Sequence, residues 1–173
     1  PKDEDGNSLF KYILNYTDTA DEGGDFLCSI CYGMYNNEYY ILDVLYTKDA
    51  MEVTEPAIAE MLTRNNVGCA VIESNNGGRG FARNVQRLAP RVKVEWFHQS
   101  GNKESRILSN SATVQHNILL PSDWSLRFPL FYAHLTAFKR LFRANSHDDC
   151  ADAITGIAER EYQTKKRITM ICN

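Results

Sequence analysis

Positive charge is in short supply. Nineteen Lys and Arg stand against 22 Asp and Glu, a formal net charge of −3, so no global positive field draws the chain to nucleic acid. Any polyanion must be held by local basic patches or metal ions. Long apolar runs are missing too: none approaches the roughly 18 residues of a membrane span, and the opening Pro1-Lys2-Asp3-Glu4-Asp5 lacks the apolar core of a signal peptide. The expectation is a soluble, intracellular protein with no membrane partner. The five cysteines (Cys28, Cys31, Cys69, Cys150, Cys172) are odd in number and scattered, which fits a reduced compartment better than a disulfide framework. Cys28 and Cys31 lie three apart in a strand-like run, so they point to opposite faces and cannot close on one zinc or one disulfide. Repeats, low-complexity segments and Pro/Ser-rich linkers are absent, so residues 1–173 are read as one domain. Gly77-Gly-Arg-Gly80 lacks the lysine and hydroxyl of a phosphate-binding loop, and no ATP hydrolysis is expected.

What is present is enough apolar matter to build a core, 43% hydrophobic with 11% aromatic. Lys11 to Thr17 reads as a buried strand running into an acidic loop, Asp18 to Asp25. Phe26 to Tyr35 and Glu38 to Tyr46 are β-rich runs joined by Asn36-Asn37, a dipeptide that tolerates positive φ and suits a tight hairpin. From Glu52 to Asn65 the apolar spacing turns helical, with Thr54 and Pro56 as the opening. A strand over Gly68 to Glu73, a helix over Phe81 to Leu88 and a strand over Val92 to Phe97 follow. Helices are then expected over Lys103 to Val114, Leu126 to Phe142, and from His147 or Asp148 towards Tyr162, with a frayed tail or short terminal strand at Thr164 to Arg167. This order predicts an α/β fold with a five-stranded mixed sheet, three antiparallel strands and then parallel crossovers, flanked by helices. The crossover places strand four beside strand one, so Asp18 and Glu73 emerge at the same end.

Those two acids share their chemistry with a third site, Asp148-Asp149-Cys-Ala-Asp152. Hard divalent cations such as Mg²⁺ or Mn²⁺ take oxygen ligands, and two such ions roughly 4 Å apart activate a water and stabilise the leaving oxygen in phosphodiester cleavage. On a helix, Asp149 and Asp152, or Asp148 and Asp152, share a face. Capping and the helix dipole explain Asp148 and Asp149. They do not explain Asp152, one turn inside, nor an acid directly after Ala70-Val-Ile72.

Three segments carry a family resemblance: Tyr16-Thr-Asp-Thr-Ala-Asp-Glu-Gly-Gly-Asp25, Val71-Ile-Glu-Ser-Asn-Asn-Gly-Gly78 and His147-Asp-Asp-Cys-Ala-Asp-Ala-Ile154. In order and spacing the set resembles the C-terminal nuclease domain of the large terminase subunits of tailed bacteriophages, over nearly the whole chain. The resemblance implies an RNase H-like fold and a metal-dependent endonuclease, using two Mg²⁺ or Mn²⁺ ions, that cuts double-stranded concatemeric viral DNA during packaging. It implies Asp18 as the strand-one ligand, Glu73 as the strand-four ligand, and Asp149 or Asp152 as the helix ligand, with Asp148 a further candidate. Asp25 matches a family aspartate, and ligand and loop-closing roles carry equal weight for it. The resemblance further implies a C-terminal fragment of a longer motor protein whose ATPase domain, portal and small terminase subunit are partners, working in the cytoplasm of a bacterial host and encoded by a phage or prophage.

DNA also needs cationic contacts. Arg79, Arg83 and Arg87 recur at four-residue spacing, and Arg79 adjoins Glu73 through a glycine loop; a solvated helix face is the commoner origin of such a stripe. Lys103 and Arg106 resemble a basic pair after the fifth strand in the family, and Lys139, Arg140 and Arg143 form a third group. Two other readings remain beside the nuclease: a different RNase H-like activity, on junctions or RNA–DNA hybrids, and a non-catalytic docking module of the packaging machine.

Overall fold

The computed structural model describes residues 1–20, 25–73, 78–139, 141 and 145–171. A six-stranded sheet runs in the order β5-β4-β1-β2-β3-β6, from β1 (Ile13–Asp18), β2 (Leu27–Tyr35), β3 (Glu38–Thr47), β4 (Cys69–Glu73), β5 (Lys93–Phe97) and β6 (Ile118–Leu119). The first three strands form the expected antiparallel meander. Asn36 and Asn37 both adopt positive φ, 49° and 64°, which matches the twist of the two-residue hairpin between Tyr35 and Glu38. The strand count is one more than expected. β6 is two residues long and pairs with Tyr39 and Tyr40, too short to carry a period-two pattern.

Helix α1 (Met51–Arg64) carries the chain across to β4, which lies parallel to β1. It begins before Thr54 and Pro56, leaving Pro56 inside, where the missing N–H forfeits a bond close to the helix's open end. Then α2 (Gly78–Leu88) leads to β5, parallel to β4. These two helices cover one sheet face, where Ile58, Met61, Leu62, Phe81 and Val85 meet Leu27, Cys31, Ala70 and Ile72. Beneath them Asn15, Thr17 and Ser29 are buried and close a small polar network: Asn15 donates to the Ser29 hydroxyl at 2.9 Å, Thr17 donates to Asn15 at 2.9 Å, and the two hydroxyls lie 2.7 Å apart.

The opposite face takes α3 (Lys103–Asn117), α4 (Trp124–Arg127), α5 (Pro129–Ala137) and α6 (Asp149–Ile171). Ile154 and Ile157 of α6 and Phe131 of α5 pack there on Tyr16, Cys28, Ile30 and Ile41. Cys28 and Cys31 thus sit in cores on opposite faces, both as free thiols. The single helix expected over 126–142 is two helices. Phe128, held at φ −132° and ψ 61°, precedes Pro129, whose ring disfavours helical backbone in the residue before it. Phe138 at ψ 128° then ends α5, and Phe142 lies outside the described residues. The 164–167 tail continues α6 rather than forming a strand. Among the described residues, no helix is long and apolar enough to cross a membrane.

Candidate metal centre

The parallel pairing of β1 with β4 sets Asp18 opposite Glu73, each the last residue of its strand. Both follow the side-chain parity of Tyr16 and Val71, so both face α6. The first turn of α6 brings Asp149 and Asp152 to the same place, where the helix N-terminus favours carboxylates. Asp149 is fixed there by the Phe26 amide, which donates to its Oδ2 at 3.2 Å. The four acids line one cavity of about 140 Å³, together with Asp25, Thr19, Gln99, Lys103 and Arg106.

Two cations are threaded between the acids. Lys103 Nζ lies 2.7 Å from Asp148 Oδ1 and 3.6 Å from both Asp149 Oδ1 and Asp152 Oδ2. Arg106, only 8% exposed, reaches Asp152 Oδ1 at 3.4 Å and Glu73 Oε2 at 3.8 Å, while its Nε donates to Glu159 at 3.0 Å. Both positions are set by α3, whose start is capped by the Asn102 side chain accepting from the Ser105 amide at 2.9 Å. Among the described residues the acids do not close into a ready-made three-ligand cage. The ammonium and guanidinium stand among them instead.

The charges have the expected cost. Burial, reinforced by the fields of Glu73 and Asp152, pushes the Asp18 carboxyl well above the usual range, and Lys103 only partly opposes this. Burial likewise pushes Asp152 up to about 6, against the pull of Lys103 and Arg106. Burial works against charge on Lys103, yet Asp148, Asp152 and Asp149 together raise its pKa. Asp152 Oδ1 and Arg106 Nη2 are buried with no hydrogen-bond partner, held only by the longer ion pairs at 3.4 and 3.8 Å. A buried acceptor among hard oxygen donors fits a divalent cation.

Of the other expected residues, Asp25 lines the cavity and is exposed, and Asp148 lies at its edge bound to Lys103. Arg79 and Arg83 are not in the cavity. They are exposed on α2, with Arg79 stacked 4.5 Å over the Trp96 ring. Arg140 and Arg143 lie outside the described residues. His147 stacks on His134, centroids 4.5 Å apart, and meets Phe26 edge-on. Sequence reading passed over Tyr16, whose hydroxyl donates to Glu73 Oε2 at 2.5 Å, although its spacing of two from Asp18 signals a shared face. Gln99 and Glu159 carried no such signal.

Solved structures show the same architecture. The nuclease domain of the human cytomegalovirus terminase, Mn-soaked and inhibitor-bound, superposes with a TM-score of 0.59 at 16% identity, covering 92% of this chain and 88% of that one. The nuclease domain of the large terminase g2p of bacteriophage SPP1, with bound Mn, gives 0.61 at 14%, covering 92% of each. The nuclease domain of the large terminase subunit gp2 of bacterial virus Sf6 gives 0.59 at 12%, covering 88% and 90%. The fold is therefore that of the RNase H-like nuclease domains of viral terminases. No curated protein sequence matches the chain. Residues 17–118 match the family described as "Terminase Bacteriophage T7, Ribonuclease H-like domain", and the chain belongs to that family.

Proposed function

We propose that this chain is a divalent-metal-dependent endodeoxyribonuclease that cuts concatemeric viral double-stranded DNA during genome packaging. The observation that carries the reading is the meeting of acids from three elements, Asp18 on β1, Glu73 on β4, and Asp149 and Asp152 on α6, in one cavity with an unsatisfied carboxylate oxygen. Those four residues would hold two Mg²⁺ or Mn²⁺ ions, with Asp25 and Asp148 as outer candidates. Bound there, the metal supplies an activated water and relief of charge on the departing 3′ oxygen.

The chain's own groups do the rest. The β1–β4 register holds the Asp18 and Glu73 carboxylates side by side, and the α6 dipole supports the ionised Asp149 and Asp152. Arg106, whose Nη2 has no hydrogen-bond partner but lies 3.8 Å from Glu73 Oε2, and Lys103 beside it offer positive charge for a non-bridging phosphate oxygen. Arg79 and Arg83 extend the contact outward along the DNA backbone. The proposed setting is the C-terminal part of a longer motor protein, with an ATPase domain, portal and small terminase subunit as partners, in the cytoplasm of a bacterial host.

Asp18→Asn is expected to abolish plasmid cleavage in Mn²⁺ while leaving the circular dichroism spectrum unchanged; persistent nicking by that variant rejects the assignment. Wild-type cleavage is expected to stop with chelator and to favour linear duplex over a four-way junction or an RNA–DNA hybrid. A chain that cuts none of these in Mn²⁺ would be a docking module instead.

A further inference from the structure

Tyr16 belongs to no part of the acidic set, yet it is built into it. It stands two residues before Asp18 on β1, is 1% exposed, and its hydroxyl donates to Glu73 Oε2 at 2.5 Å. The room for its phenol end comes from α6: a Cβ on Gly156 would clash with Cζ and the hydroxyl oxygen of Tyr16, so helix and strand approach this closely because that position is glycine. Phe97 flanks the ring on another side, centroids 6.3 Å apart and tilted 58°. A hydroxyl held this short against a carboxylate is a charge-assisted bond that restrains both partners.

We propose that Tyr16 is a positioning residue for the divalent-cation centre: its hydroxyl orients the Glu73 carboxylate beside Asp18, and Gly156 is the gap that lets it do so. This rests on the reading of Glu73 as a metal ligand. The hydroxyl acts through Glu73 and touches neither metal nor DNA. Groups that orient a metal ligand in this way change metal affinity by about 10- to 100-fold when removed.

The test is calorimetric titration of Mn²⁺ into the 173-residue chain, comparing wild type with Tyr16→Phe, Glu73→Gln and, as a core control on the same sheet face, Ile30→Val. Tyr16→Phe keeps the ring and its packing. The expected result is Mn²⁺ binding weakened about tenfold or more, with metal-free melting lowered by only about 2–4 °C and with Ile30→Val binding as wild type does. If Glu73→Gln weakens binding but Tyr16→Phe stays within about twofold of wild type, which is well short of that range, the Tyr16 proposal is overturned and the metal centre stands. If Glu73→Gln binds as tightly as wild type, both are overturned. A Tyr16→Phe chain that does not fold also overturns the proposal, because a hydroxyl that only orients a carboxylate leaves the fold standing when it is removed.

Discussion

Asp152 sits at 5% exposure with its carboxyl raised from 3.8 to about 6, and that single shift fixes a sign. The folded chain binds this proton more tightly than the unfolded chain, so stability falls as pH rises from about 4 to about 6. Below 3.8 the group is neutral in both states and costs nothing; above 6 the full penalty is present, about 3 kcal/mol at most. Asp18 acts in the same direction. Asp152→Asn is therefore expected to stabilise the metal-free protein at pH 7 by about 1–3 kcal/mol and to make no difference below pH 4, measured as the melting difference between the two proteins across pH. A difference that does not grow between pH 4 and 7 contradicts the burial account. Mn²⁺ is expected to raise the wild-type melting temperature at pH 7 and to raise that of Asp152→Asn less. At this scale the sequence was legible for the acids, because a carboxylate closing a buried apolar strand gives up hydration and so marks a place where its charge is used. Tyr16 was legible only in its facing: the spacing of two puts it on the face of Asp18, but an aromatic residue in a strand looks like core until its hydroxyl is seen to meet an acid.

Helix α6 shows how unevenly contacts matter within one element or between two. Ile157 is fully buried against the sheet, so Ile157→Ala removes transfer energy and leaves a cavity, an expected loss of about 2–5 kcal/mol by chemical denaturation. Arg64 of α1 holds Asp43 of β3 through two bonds of 3.0 and 2.8 Å, but its side chain is 52% exposed, and Arg64→Ala is expected to cost about 1 kcal/mol or less. Equal losses for the two variants would show that α6 is not seated on the sheet as described. Asp43 also accepts from Asn65, so it ties β3 to the end of α1. Strands and helices with clear periodicity were readable in advance, including the parallel return of β4. The break at Phe128 was readable only in part: Pro129 limits where a helix can start, but the apolar spacing runs on through it from Leu126.

Across the molecule the charges of the site are sorted: acids and two captive cations at the ends of the central strands β1 and β4, exposed arginines along α2. With a net charge of −3, DNA has to be held by those local cations. The four proposed phosphate contacts, from Lys103, Arg106, Arg79 and Arg83, lead to an expected slope of about −3 to −4 in a plot of log affinity against log salt. Fluorescence anisotropy with duplex DNA in Ca²⁺ checks this, and an Arg79→Ala, Arg83→Ala double variant is expected to reduce the slope by about 2; an unchanged slope removes α2 from the interface. The trio Asn15, Thr17 and Ser29 has its own consequence on the far side of the sheet. Side chains alternate along a strand, so a chain zipped one place out of step would strand these hydrogen-bonding groups in oil and turn Asp18 away from its companions. The trio therefore favours the one alignment in which Asp18 meets its companions.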